Sequence, residues 1–264
     1  MNAPQTPAQL EPHVLRQLDG GVLRLTLNRP AQFNALSLEM LAALQAELDA
    51  AGADASVRVV VIAAAGKAFC AGHDLKQMRA HPDVAWYQRL FDDCSKLMLA
   101  VQRLPQPVIA RVQGIATAAG CQLVSTCDLA VAADSVRFGV NGIDVGLFCS
   151  TPSVGLARNI GRKQAFEMLV TGEFIDAETA RARGLVNRVV PAAELDAELA
   201  RLVQPILAKP AKVLAMGKQL FYRQLEMGID AAYQLAGQTM ACNMIDPLAQ
   251  EGVDAFAGKR PPRW

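Results

Sequence analysis

Apolar residues along this chain change period several times, and each change predicts an element. Leu23, Leu25 and Leu27 alternate with Arg24 and Thr26, so residues 22–28 read as a strand with one buried face. Residues 29–36 turn away from it. Ser37 then caps a helix in which Leu38, Leu41, Leu44 and Leu48 recur at helical spacing. The run VRVVVIAAAG at 57–66 is continuously apolar, which predicts a central strand. From 74 to about 103 the period is helical, with Trp86, Tyr87, Leu90, Phe91, Leu97 and Met98 on one face, and LPQPV at 104–108 ends it. Val108, Ile109 and Val112 predict a short buried strand, 114–119 a tight turn of tiny residues, and 120–126 the first turns of a helix. Further strands are expected at 129–133 and 136–140. Thr151 followed by Pro152 predicts a helix start, and Asp176 caps another helix that ends at Gly184 after Arg181 and Arg183. Residues 184–191 are the last strand. The alternation of strands and helices predicts an α/β fold.

Beyond Pro191 the pattern is helical over 194–207, 211–225, 229–245 and 246–257, punctuated by Pro205, Pro210, Gly228 and Pro247. No polar linker precedes these helices. They are therefore expected to pack on the core or on a neighbouring subunit.

Composition narrows the function classes. A chain of 264 residues fits one large domain with or without a helical appendage, and 52% hydrophobic against 19% charged residues excludes a disordered protein. No apolar run approaches the ~20 residues of a membrane span, so no membrane partner is expected. A formal charge of +1 supplies no basic field for nucleic acid. The six cysteines at 70, 94, 121, 127, 149 and 242 form no CxxC pair and no Cys/His metal spacing. They read as buried free thiols in a reducing compartment, with no metal. Residues 1–12 read as a flexible tail without a secretory signal, and Arg is absent before Arg16 and Ser before Ser37, which gives little support to a transit peptide. A cytoplasmic location is the resulting expectation.

Two stretches carry candidate chemistry. AFCAGHDLK at 68–76 and PVIARVQGIATAAGCQL at 107–123 share one form: an apolar strand, a turn of tiny residues, then the start of a helix. Such a helix start presents unpaired N–H groups and the positive end of the dipole. Two of them facing each other supply two backbone donors to one oxygen, the geometry of an oxyanion hole.

These stretches, together with NRPAQFNALS at 28–37, LVTGEFIDAETARARGLVNRVV at 169–190 and EGVDAFAGKRPPRW at 251–264, resemble the crotonase or enoyl-CoA hydratase/isomerase superfamily over almost the whole chain. The resemblance implies a crotonase-type spiral of repeated ββα units over 13–191 and a C-terminal helical subdomain over 192–264 that serves oligomerisation and covers the acyl-CoA site. It implies a homotrimer or dimer of trimers, and a lyase of acyl-CoA metabolism that stabilises a thioester enolate. The backbone donors match His73 and Ala119. Where hydratases of the superfamily carry two glutamates, this chain carries Gln122 and Gly142, which makes efficient hydration by the usual route doubtful. AGHDLK, AAGCQL and GLFCSTP resemble the enoyl-CoA hydratase domain-containing branch, which also lacks them. Asp144 is a candidate substitute acid or base. Ser150 reads as a helix cap and Cys149 as core, each with a lesser catalytic reading. The His73 imidazole reads either as a local hydrogen-bonder or as a group that touches the acyl moiety or moves a proton. No cofactor is expected to be bound permanently; coenzyme A enters as part of the substrate. Its adenine is expected at Gln32 and Phe33, its phosphates at Lys76, its nucleotide near Lys259, which in relatives often comes from a neighbouring subunit, and its remaining contacts at Ala71, His73, Asp74 and Leu75. Two other readings stay open, a malonyl-type acyl-CoA decarboxylase and a non-catalytic acyl-CoA binder.

Overall fold

The Leu23, Leu25, Leu27 alternation becomes a half-buried strand, and the unbroken apolar run after it becomes a strand with every side chain buried. The computed structural model describes residues 11–264, so the tail expected at 1–12 lies almost wholly outside the described residues. β1 (Val14–Asp19) and β2 (Val22–Leu27) form an antiparallel hairpin, followed by α1 (Leu38–Ala53), β3 (Val59–Ala64) and β4 (Ala68–Cys70). Then come α2 (Leu75–Ala80), α3 (Val84–Arg103), β5 (Val108–Val112), β6 (Ile115–Thr117) and α4 (Ala119–Thr126). β7 (Leu129–Ala133) and β8 (Arg137–Gly139) precede α5 (Ser150–Asn159) and α6 (Arg162–Thr171). β9 (Ile175–Asp176), α7 (Ala177–Arg183) and β10 (Arg188–Val190) complete the sheets.

One sheet runs β1-β2-β3-β5-β7-β10, parallel apart from the first hairpin; the other runs β4-β6-β8-β9. Three times a strand of the first sheet is followed by a strand of the second and then by helix: β3-β4, β5-β6 and β7-β8. The expected α/β architecture of repeated ββα units is therefore present. β3 sits inside the first sheet with all six residues buried, and each such Val or Ile contributes ~1.5–3 kcal/mol relative to exposure. Ser37 caps α1 by accepting from the Met40 amide at 3.3 Å, and Asp176 caps α7, which ends at Gly184.

Several expectations need correction. The helix expected over 74–103 is two helices: Pro82 follows the end of α2, and Asp83 restarts the chain by accepting from the Trp86 amide at 2.8 Å. The turn expected at 114–119 contains β6, because residues 115–117 have β4 and β8 to pair with on either side. α5 starts at Ser150 after Cys149, and Ser150 gives no cap; its hydroxyl donates instead to the Phe148 carbonyl at 3.3 Å. Pro205 lies inside a helix rather than at a break. Cys242 is exposed, unlike the other five cysteines. β1, β4 and α6 have no counterpart in the sequence reading.

The C-terminal helices are α8 (Leu195–Leu207), α9 (Ala211–Leu225), α10 (Ile229–Met244) and α11 (Pro247–Ala257). α8 joins the core through Leu195, Leu199 and Val203. α9 is held by charge. Lys218 Nζ lies 2.6 Å from Asp128 Oδ2 and donates to the carbonyls of Val101 and Gln106, while Tyr222 donates to Asp128 Oδ1 at 2.7 Å. Burial pushes the Asp128 carboxyl up and the Lys218 ammonium down, and each opposes the other's shift. α10 and α11 bury only Ala232 and Ala255 between them, leaving Met240, Ile245 and Phe256 exposed.

Candidate functional site

β4 and β6 pair in parallel, so the loops after them leave the sheet side by side. Gly72 makes the approach possible. It sits at φ +88, and a Cβ there would lie 2.8 Å from the Ala118 Cβ and 3.2 Å from the Ala119 nitrogen. The turn is fixed from the other side by the Leu36 amide donating to the Gly72 carbonyl at 2.8 Å and the Ala71 amide to Phe33 at 3.0 Å. Across from it, Ala118 adopts φ 49 and ψ −121, a strained conformation for a residue with a Cβ, and its amide donates to Gly139 at 2.9 Å.

This arrangement leaves two donors free. Among the described residues neither the His73 amide nor the Ala119 amide donates to a protein acceptor. Ala119 is also the first residue of α4, whose eight residues are all buried, so the positive end of the helix dipole lies at this amide. Both residues line a cavity of about 270 Å³ whose other walls include Leu75, Met78, Phe91, Val145, Leu147 and Phe148. Among the described residues no aspartate, glutamate, lysine or arginine lines it. Such a space suits an apolar group whose one polar oxygen reaches the paired amides.

His73 differs from its neighbours in this wall. Its Nδ1 lies 3.4 Å from the Leu36 carbonyl, its ring stands edge-on to Phe91 at 5.4 Å between centroids, and its Nε2 is buried without a partner. Burial holds the imidazole below the usual histidine pKa, and the Leu36 carbonyl offsets part of that shift. It is a neutral ring near pH 7.

Gly142 lines the same cavity, in a 3-10 turn over Asn141–Val145. A Cβ there would lie 2.4 Å from the Leu147 carbonyl and 2.8 Å from Cys149 Sγ, and the Gly142 amide donates to that sulfur at 3.3 Å. The turn is closed around a residue without a side chain. Gln122, one turn along α4 from Ala119, is 5% exposed and lines a different cavity of about 950 Å³ between α3, α4, α5 and α9. Its Oε1 is buried and unpaired. Asp144 is exposed and lines neither cavity; its carboxylate lies against Gly172. Cys149 and Ser150 line the smaller cavity, with burial pushing the Cys149 thiol up.

The residues expected to meet coenzyme A do not share one cavity. Ala71 and Leu75 line the smaller cavity, and Asp74 caps α2 by accepting from the amides of Lys76 and Gln77 at 3.0 and 3.1 Å. Lys76 is exposed. Gln32 accepts from Arg29 Nε at 3.0 Å, and Lys259 follows α11; these three line neither cavity. The sequence reading missed Met78, Thr117 and Asn141 as wall residues, and Lys67, whose ammonium lies 5.4 Å from the Phe33 ring centroid. Only the topology brings these together, although the apolar face of the 74–103 pattern had already singled out Phe91.

Comparison with known proteins extends this picture. Residues 17–264 match the family profile described as Enoyl-CoA hydratase/isomerase. The chain is 45% identical over 256 residues to enoyl-CoA hydratase domain-containing protein 3, mitochondrial, of Xenopus laevis, covering 97% of this chain and 87% of that protein. It is 36% identical over 246 residues to the 2,3-dehydroadipyl-CoA hydratase of Escherichia coli K12, covering 91% and 94%. The crystal structure of an enoyl-CoA hydratase of Mycobacterium smegmatis superposes with a TM-score of 0.95 at 62% identity, covering 96% of this chain and 99% of that one. That of human enoyl Coenzyme A hydratase domain-containing protein 3 gives 0.93 at 42% identity, covering 96% and 100%. The Xenopus relative bears a mitochondrial location in its name, so the expected cytoplasmic location gains no support from it. No helix among the described residues is long and apolar enough to cross a membrane.

Proposed function

The chain belongs to the enoyl-CoA hydratase/isomerase family, and from that membership and the cavity geometry we propose that it is a hydratase-like lyase of acyl-CoA thioesters. The thioester carbonyl sits between the amides of His73 and Ala119, and the acyl group enters the 270 Å³ cavity. As the carbonyl takes on enolate character, its oxygen gains charge beside two amides left without a protein acceptor and a helix N-terminus. The observation that carries this reading is the pair of amides, unpartnered in the protein and held together by turns that Gly72 allows to touch.

The two-carboxylate route is not part of the proposal. Gln122 cannot accept a proton, and Gly142 has no side chain to offer and no room for one. Coenzyme A is assigned to exposed residues outside the cavity, its adenine near Gln32 and Phe33, its phosphates near Lys76 and its nucleotide near Lys259. The apolar residues exposed on α10 and α11 favour assembly of several copies, in line with the trimer or hexamer expected from the resemblance.

Calorimetry with acetoacetyl-CoA and butyryl-CoA tests the carbonyl site. Acetoacetyl-CoA, which readily forms the enolate, should bind at least ~10-fold tighter, a difference of ~1.4 kcal/mol. Equal affinities would remove the enolate site. Loss of the conjugated thioester absorbance of crotonyl-CoA reports hydration, and propionyl-CoA release from methylmalonyl-CoA reports decarboxylation. Tight thioester binding with neither turnover would favour a binder. The neutral His73 ring and the absence of lysine or arginine from the cavity lining favour hydration over a substrate carrying a free carboxylate there.

A further inference from the structure

We propose that the His73 imidazole is the acid–base group of this site, and that one ring carries both proton steps which two carboxylates would otherwise divide. The inference rests on the thioester reading above and adds a residue to it. The long contact from Nδ1 to the Leu36 carbonyl is satisfied only if Nδ1 carries the hydrogen, which leaves Nε2 as a bare lone pair. That lone pair has no partner, and an unpaired buried acceptor is a cost the fold retains for a reason other than packing. The ring itself forms part of the cavity wall. Among the described residues a single long hydrogen bond is the ring's one polar tether.

The surroundings keep the ring in its neutral form, the one with a free lone pair. Cys149 is the other titratable side chain of the lining, and burial keeps it a thiol. Asp74, next in the chain, turns its carboxylate to the amides of Lys76 and Gln77. Phe91 on α3 and Leu36 before α1 are neutral. The ring's two contacts, the Leu36 carbonyl and the Phe91 ring, carry no formal charge. In the addition step, the oxygen of a water bonds to C3 of the enoyl group while one of its protons passes to Nε2. The C2=C3 electron pair moves toward the carbonyl, whose oxygen takes the charge at the two amides. The imidazolium then delivers its proton to C2 as the carbonyl re-forms. One H and one OH are added, and no oxidant or reductant is needed. Because a single group on one side handles both steps, H and OH arrive on the same face.

The test uses the full-length protein, crotonyl-CoA turnover and butyryl-CoA calorimetry, with two variants. His73→Ala keeps the backbone amide, so butyryl-CoA affinity should stay within about threefold while hydration falls by ~10² to 10⁴. Added imidazole should restore part of the rate to this variant. His73→Gln can accept a hydrogen bond but cannot take a proton, so it should lose as much rate as the alanine variant. Wild-type kcat/KM should fall toward acid pH through one ionisation, centred below the usual histidine value. Turnover by either variant within about threefold of wild type would overturn the proposal. So would a wild-type protein that binds butyryl-CoA yet neither hydrates crotonyl-CoA nor exchanges deuterium at C2, an outcome that leaves the thioester site standing. Failure to bind butyryl-CoA at all would instead remove the thioester site, and this proposal with it.

Discussion

Replacing Ala119 by proline deletes one proposed oxyanion donor and little else. The Ala119 amide donates to no protein acceptor among the described residues, so no native hydrogen bond is lost. Ala119 is the first residue of α4, the helix position at which proline is best tolerated. Ala118 before it already stands outside the helical region that a following proline disfavours. The fold should therefore survive with an unfolding temperature within a few degrees of wild type, about 1 kcal/mol at this chain length. Losing one of two such donors typically costs ~10² to 10³ in turnover, or ~2.7–4 kcal/mol of transition-state stabilisation. Crotonyl-CoA hydration should fall by that factor, and acetoacetyl-CoA affinity should fall well beyond that of butyryl-CoA. A variant that unfolds like wild type and keeps both turnover and acetoacetyl-CoA affinity within about threefold would show that this amide holds no developing charge.

Three further outcomes follow from the geometry. Lys218→Met leaves Asp128 buried without its cation and should cost ~3–5 kcal/mol in urea unfolding, whereas replacing Lys218 and Asp128 together by apolar residues should cost less. Ala118→Gly relieves ~1–3 kcal/mol of strain against ~0.5–1 kcal/mol of added unfolded-state entropy, so thermal unfolding should shift upward by ~2–4 °C. Arg111 and Arg24 hold the Asp196 carboxyl down at about 2 against an ordinary 3.8. A depressed carboxyl favours the fold above the ordinary value and loses that contribution as pH falls toward the folded one. Stability should therefore decline between about pH 4 and 2, less steeply in Asp196→Asn and less steeply in high salt, because the Asp196 carboxylate is 58% exposed.

The sequence disclosed elements wherever one face or both faces of an element are buried. Leu23, Leu25 and Leu27 announce β2, and the helices after Pro191 are punctuated by their own prolines and glycines. It hid the elements whose reason is a neighbour. β4 and β6 are three residues each, too short for a period, and exist because β6 pairs with β4 on one side and with β8 on the other. At the site, the tiny residues of the two motifs correctly signalled close approach: a Cβ at Gly120 would lie 2.1 Å from the Cys70 carbonyl. Which side chains share a cavity was not legible, because that depends on how turns far apart in sequence fall against each other. Gln122 is one helical turn from Ala119 yet faces the larger cavity, while Phe148 and Met78 meet in the smaller one.

The closed turn at Gly142 bears on how proton transfer is arranged here. If the position had merely lost a carboxylate, space would remain where the side chain had been. Instead the Leu147 carbonyl and Cys149 Sγ occupy that space, and the Gly142 amide donates to the sulfur. Placing a carboxylate at 142 would require the 141–149 segment to move, so the backbone itself excludes an acid there. The opposite wall, contributed by the first motif, is where an ionisable side chain does stand. Of the two turns that hold the amides, the one after β6 offers only Ala118 and Ala119, so the one after β4 supplies the only imidazole in the lining. A site whose second half is closed around sulfur and backbone can run proton chemistry only from its first half, and there the available base is His73.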